Sequence, residues 1–378
     1  MKKNHKLILV MCCMVQLIIS VSCKKSTAPQ AETDSIGPET AKLATTITYK
    51  NVVYNPGDTI YGYKNYVKLV VGDNDCPLLL GVPHDGLSTG NPVIPETGDT
   101  GRDLNTKPLA FKIAATFFAG TGKKPWIIIN EIGRKRVDPN TYPNEVSARY
   151  TDPEAVNTYN SYHELLLMAR TAMVTAQTGG NGALFVDIHG HAHQYISGHT
   201  EAYTSTTTGS NIQSAFIDQT EVGYGLSNFS LEKSDAYLNA LADSSSIGAI
   251  ARSHPGVAFS ELIRGANSFG GLLEAQSVHA VPGNVMEILD RNATLFGSTS
   301  GKPNHRPYFN GGYCTRKYGT ILSGSTLGYN DNFSALQIET PGITIRNNTS
   351  IINISGPRIK KAIVAYLNYW YGYSFPNT

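Results

Sequence analysis

The chain has 378 residues, of which 41% are hydrophobic and only 16% charged, and its formal net charge is +2. That length and apolar content support a sizeable buried core, as one large domain or two small ones, and exclude wholesale disorder. The near-neutral balance gives no reason to expect a nucleic-acid partner, which needs a clustered basic face.

The chain opens with Lys2, Lys3 and Lys6, followed by a short apolar run from Leu7 to Val21. A bilayer span needs roughly 20 apolar residues, so this pattern predicts an export signal over residues 1–22. The run ends at Ser20-Val21-Ser22-Cys23-Lys24-Lys25, which resembles a bacterial lipoprotein cleavage site. Acylation of Cys23 would anchor the protein to a membrane and place it in the bacterial cell envelope. Residues 23–43 are rich in Lys, Ser, Thr, Ala, Pro and Glu without apolar periodicity, and read as a flexible tether. Residues 44–378 then read as a single domain. It keeps two cysteines, Cys76 and Cys314, either paired or standing as separate buried thiols.

Within the domain, short apolar runs predict strands over Val67–Val71, Leu78–Val82, Trp126–Asn130, Ala183–Ile188 and Ala335–Ile338. Helices are predicted over Lys107–Phe118, Asp152–Gln177, Ser234–Arg252 and from about Pro357 to Tyr371. Thr106 is the expected N-cap of the first, with Pro108 in its first turn. Strands that are almost wholly apolar imply helices on both faces of a sheet. The fold class is therefore α/β, a sandwich with a mixed, largely parallel sheet. In such sheets sites gather beyond the carboxyl ends of the strands.

Pro83-His84-Asp85-Gly86 directly follows one apolar strand, and Asp187-Ile188-His189-Gly190-His191-Ala192-His193 closes another. Two imidazoles leaving two hydrophobic strands of one sheet can converge on one zinc ion, with Asp187 or Asp85 orienting the rings. His191 and His193 are open between ligand, proton shuttle and loop residue; His163, inside a helix beside Tyr162, reads as structural. Glu339 ends the last apolar strand, either as a general base made more basic by desolvation or as the partner of Arg346 in a salt bridge. Arg134 and Arg136 follow the strand Trp126–Asn130, as an oxyanion or carboxylate clamp or as a solvated basic turn.

Taken in order, these pieces resemble the N-formylglutamate amidohydrolase family, related to the zinc carboxypeptidases and the succinylglutamate desuccinylase/aspartoacylase group. The resemblance is carried by Val82-Pro83-His84-Asp85-Gly86, Arg136-Val137-Asp138-Pro139-Asn140, Val186-Asp187-Ile188-His189 and Ser268-Phe269-Gly270-Gly271-Leu272-Leu273. It continues through Ala280-Val281-Pro282, Asn310-Gly311-Gly312-Tyr313 and Leu336-Gln337-Ile338-Glu339. It implies a three-layer α/β/α, zinc-carboxypeptidase-like hydrolase with one zinc. His84 would be the first ligand, His189 the last, and Glu339 the residue that activates water. An arginine near Arg136, with Asn140, would sit beside the scissile carbonyl and the substrate carboxylate.

Two positions depart from the pattern. Thr141 stands where the family commonly has arginine, and Leu87 where the relatives draw a carboxylate ligand. In the relatives that ligand lies at the start of the helix after the first strand, which here selects Asp103 ahead of Glu96 and Asp85. The activity expected is zinc-assisted hydrolysis of an amide bond in a small-molecule or peptide-like substrate, with Arg136 or Arg134 on the oxyanion. A carboxypeptidase, a peptidoglycan-fragment amidase and a lipid-anchored binding protein with a degenerate site are the alternatives. A metal-free serine hydrolase is a further rival among enzymes.

Overall fold

A computed structural model describes residues 46–99, 101–149, 151–177, 180–191, 201–204, 211–214, 219–231, 233–287, 309–323 and 327–376. The expected signal, the tether, Cys23 and His193 lie outside the described residues.

The five runs predicted as strands all fall in one eight-stranded sheet. In chain order its strands are β1 (Thr59–Tyr61), β2 (Val67–Val70), β3 (Leu78–Val82), β4 (Trp126–Asn130), β5 (Ala183–His191), β6 (Thr220–Gly223), β7 (Ala280–Val281) and β8 (Phe333–Pro341). Their spatial order is β7-β6-β8-β5-β3-β4-β2-β1. The centre, β8-β5-β3-β4, is parallel, whereas β2 runs antiparallel to β4, and β6 antiparallel to β8. The short strands β1, β6 and β7 escape a pattern-based reading because so few residues carry no usable alternation.

Side-chain alternation divides the core into two faces. Leu78, Leu80 and Val82 point to one face with Ile127, Val186 and Ile338, under helices α1 (Thr106–Thr121) and α4 (Thr349–Tyr371). Leu79, Ile128, Phe185 and Ala335 point to the other, under α2 (Pro153–Ala176) and α3 (Tyr313–Tyr318). This is the three-layer α/β/α sandwich. Cys76 is buried on the first face and Cys314 on the second, so they are separate thiols and form no disulfide.

Three local expectations are corrected. Ser234–Arg252 is not one helix but Asp235–Asn239, a 3₁₀ turn Ala242–Ser244 and Gly248–Ser253. The break falls where the Ser245 hydroxyl and the Ser246 N–H donate to the Tyr224 carbonyl at 2.9 and 3.0 Å, bonds a continuous helix would forgo. The last helix begins at Thr349, capped by Asn348 Oδ1 accepting from the Ile351 N–H, and continues straight through Pro357. An interior proline costs about 3 kcal/mol. Burial of Ile352, Ile359, Ile363 and Leu367 is worth about 1.5–3 kcal/mol each and outweighs it.

The third correction concerns the start of α1. Its N-cap is Asn105 in a left-handed conformation (φ 67°), and Thr106 instead donates to the Asp103 carbonyl. Asp85 supplies the cap from outside, accepting from the Asn105 and Lys107 N–H groups at 3.2 and 2.8 Å. Asp85 is thus the fastener that holds the 103–105 turn against the end of β3.

Candidate metal centre

The carboxyl ends of β3, β5 and β8 lie side by side, and their polar residues meet there. His189 and Glu339 are register partners in the parallel β5–β8 ladder. His84 leaves β3 on the other side of β5, and the Asp103 turn folds over both. All four residues are buried.

Asp103 Oδ2 lies 3.2 Å from Nδ1 of His84 and 3.2 Å from Nδ1 of His189. The far nitrogen of each ring meets another carboxylate: His84 Nε2 to Asp138 Oδ1 at 2.7 Å, and His189 Nε2 to Asp187 Oδ2 at 3.0 Å. A ring that donates from Nε2 keeps its Nδ1 lone pair free, so both histidines present an acceptor nitrogen to one point. Ligands 2.0–2.2 Å from a tetrahedral ion stand about 3.3–3.5 Å from one another. The two distances from Asp103 are close to that spacing, all three ligand atoms lie within 4.8 Å of one another, and together the residues form a buried group able to hold a metal ion.

The electrostatics favour a cation as well. Burial alone would raise the Asp103 and Asp138 carboxyls, yet the neighbouring histidines hold Asp103 well below the ordinary carboxylate range, and His84 with Arg134 does the same for Asp138. Burial disfavours a charged His189, but Asp187, Asp103 and Glu339 raise its pKa well above the usual imidazole value. Three aspartates (Asp103, Asp138 and Asp187) crowd two rings, with Glu339 beside them, a field that rewards positive charge at their centre.

Glu339 Oε1 accepts from Gln337 Nε2 at 2.9 Å and stands 3.9 Å from His189 Nδ1. Burial, with Asp103 and Glu221 nearby, pushes its carboxyl up to about 8 against the pull of His189 and Arg134. Arg346 is not its salt-bridge partner, because that guanidinium is spent on backbone carbonyls. Close packing at β3 explains Gly81: a Cβ there would lie 2.4 Å from Asp187 Oδ1.

The two arginines separate. Arg134 donates from Nε to Asp138 Oδ2 at 3.0 Å, sits 3.7 Å from Asp103 Oδ1 and keeps a partly exposed side chain at the mouth of the cluster. Arg136 pairs instead with Glu96 and the Ile94 carbonyl. Glu96 also pairs with Lys135, so neither Arg136 nor Glu96 joins the cluster. Asn140 lies against His189. Its Oδ1 accepts from the Cys314 N–H at 2.8 Å, which turns its Nδ2 toward Gln337 and against the Nε2 edge of His189, away from Nδ1. It braces the ring from behind. His191 is held by the Gln219 carbonyl at 2.8 Å.

Asp138 and Gln337 are the residues the sequence reading missed. Both lay inside motifs already singled out, but only tertiary structure shows that Asp138 orients His84 and that Gln337 links Glu339 to the Gly312 N–H.

His163 buttresses the loop that carries Asp138 and Asn140. Its Nε2–H donates to the Pro139 carbonyl at 3.0 Å and its Nδ1 accepts from the Tyr318 hydroxyl at 2.9 Å. Burial, reinforced by Lys317 and opposed by the Pro139 bond, pushes its pKa down to about 3. The unfolded ring titrates near 6.5, so stability is full above that value and falls as pH drops from 6.5 toward 3. At pH 4.5 this one group costs about 3 kcal/mol. His163→Phe should be less stable than wild type at pH 7, with the gap closing on acidification. Denaturant melts at several pH values check this, and parallel curves would refute it.

No protein-family model matches the chain, and no curated protein matches it. Among solved structures it is similar to the N-formylglutamate amidohydrolase from Ralstonia eutropha JMP134, with a TM-score of 0.41 and 12% identity over 80% of this chain and 97% of that one. It is also similar to a bacteriophage poly-gamma-glutamate hydrolase, with a TM-score of 0.27 and 11% identity over 80% and 90% of the two chains.

Proposed function

We propose that this protein is a zinc-dependent amide-bond hydrolase, with His84, Asp103 and His189 as the protein ligands of one zinc ion. The observation that carries the proposal is the paired arrangement of the histidines: two Nδ1 atoms and one carboxylate oxygen converge, and each opposite Nε2 is held by its own carboxylate. Nitrogen and oxygen donors at this spacing suit zinc, and three protein ligands leave a position open, the mark of catalytic sites. The ion supplies Lewis acidity, polarising a scissile carbonyl and lowering the pKa of a water.

The chain's own groups do the rest. Glu339, at the edge of the ligand set, takes the proton of the attacking water and returns it to the leaving amine. Arg134, held by Asp138 and facing the mouth, stabilises the negative charge that develops on the carbonyl oxygen. Asp138 and Asp187 keep both rings in the tautomer that coordinates. The substrate class is an N-acyl amino acid or a peptide-like amide. The export pattern at the N-terminus supports a substrate met in the envelope rather than a cytoplasmic metabolite, and Thr141, standing where the resembled family commonly has arginine, speaks against a glutamate-like carboxylate.

Dialysed protein should retain about one zinc per chain. A chelator should remove it together with activity, and added zinc should restore both. The activity is read on a panel of N-acyl amino acids and peptides. Full turnover after complete removal of metal would overturn the mechanism. A chain that holds zinc, binds panel members and turns none over would be a binding protein instead.

A further inference from the structure

Arg346 closes a single π-helical turn, Gly342–Arg346, that follows the strand carrying Glu339. It is only 6% exposed. A buried guanidinium usually faces a carboxylate, yet among the described residues this one bonds three backbone carbonyls. Nε donates to Thr340 O at 3.1 Å, Nη2 to His191 O at 2.9 Å, and Nη1 to Leu104 O. Each of these carbonyls neighbours a residue of the cluster: Thr340 follows Glu339, Leu104 follows Asp103, and His191 lies two residues beyond His189. The carbonyl of Arg346 in turn accepts from Asn105 Nδ2 at 2.8 Å. Gly190 makes the approach possible, since a Cβ there would stand 2.2 Å from Arg346 Cζ.

We infer that Arg346 is a positioning residue that sets the mutual spacing of Asp103, His189 and Glu339. This rests on the reading of those residues as two zinc ligands and a base. The three segments come from distant parts of the chain, and the 103–105 turn and the ends of β5 and β8 meet on this side chain. A planar fork with five donors can hold three carbonyls at fixed angles, whereas an ammonium on a flexible stem cannot. The positive charge also offsets the carboxylates gathered around the site without offering a competing ligand, because a guanidinium has no lone pair to give.

The test compares Arg346→Lys and Arg346→Ala with wild type by zinc affinity, measured in competition with a chromophoric chelator, and by the visible spectrum of the cobalt-substituted protein. Arg170→Lys serves as the control, since Arg170 is a buried arginine paired with Asp331 away from the cluster. Loss of a ligand-orienting group weakens metal binding roughly 10–100-fold. Both Arg346 variants should show that loss and an altered cobalt spectrum, while Arg170→Lys keeps wild-type values. Methylguanidinium added to Arg346→Ala should recover affinity and leave wild type unaffected. Should the alanine variant fail to fold, the lysine variant decides alone. Wild-type affinity and an unchanged spectrum in Arg346→Lys would overturn the positioning role only. A wild-type chain that binds no zinc would overturn the metal reading and this inference with it.

Discussion

Glu339→Gln is expected to abolish turnover while leaving the zinc content and the fold intact. General acid–base catalysis contributes about 10²–10⁴-fold, so the loss in kcat should be at least of that order. The substitution keeps the shape of the side chain, and the amide oxygen can still accept from Gln337 Nε2, the contact that holds Glu339 in place. What disappears is a group able to take and return a proton. The stability readout has a definite sign. Burial, Asp103 and Glu221 all work against the Glu339 carboxylate. A neutral amide relieves that cost, so the melting temperature should stay level or rise. A variant that loses activity through misfolding or metal loss would do the opposite, which separates the two causes. Near-normal activity with one zinc bound would remove Glu339 from the mechanism.

The parts of the site that were legible in the sequence are those governed by the strand itself. An apolar run that ends in His84, in His189 or in Glu339 states both where the strand stops and that a polar group stands at its carboxyl end. Neighbouring parallel strands then bring such groups together. Residues in the loops were legible as a neighbourhood but not as individuals. Arg134 and Arg136 are two positions apart in a turn, and no periodicity tells which one faces the cluster. The answer depends on Glu96, 40 residues away, which captures Arg136. Asp138 stands in the sequence only as a member of the motif from Arg136 to Asn140, because its partner His84 is 54 residues distant.

Helix boundaries failed for a related reason. The sequence places the start of the last helix at about Pro357, since propensity alone disfavours proline inside a helix. The bonus from packing that helix on the sheet is a tertiary quantity. Thr106 looked like a cap because caps are normally local, whereas here Asp85 reaches in from another segment.

Asp103 carries the second large effect. Among the described residues its Oδ2 is the one carboxylate oxygen that meets both Nδ1 atoms, and the Gly190 N–H donates to the same atom at 3.1 Å, fixing its direction. If a structural zinc site yields about 10–16 kcal/mol shared over four ligands, deleting one should cost about 2.5–4 kcal/mol, or on the order of 10²–10³-fold in affinity. Asp103→Ala is expected to lose zinc by that factor, measured against a competing chelator. The neighbouring acids supply the comparison. Glu96→Gln should bind zinc as wild type does, because Glu96 is committed to Arg136 and Lys135. Asp85→Asn should fall between the two: it leaves the ligands in place but loosens the turn that presents Asp103, through the Asn105 and Lys107 N–H bonds it weakens. The order of the three affinities is therefore the test. A larger loss from Asp85→Asn or Glu96→Gln than from Asp103→Ala would transfer the third ligand to another residue, whereas the expected order ties the metal to the turn between β3 and α1.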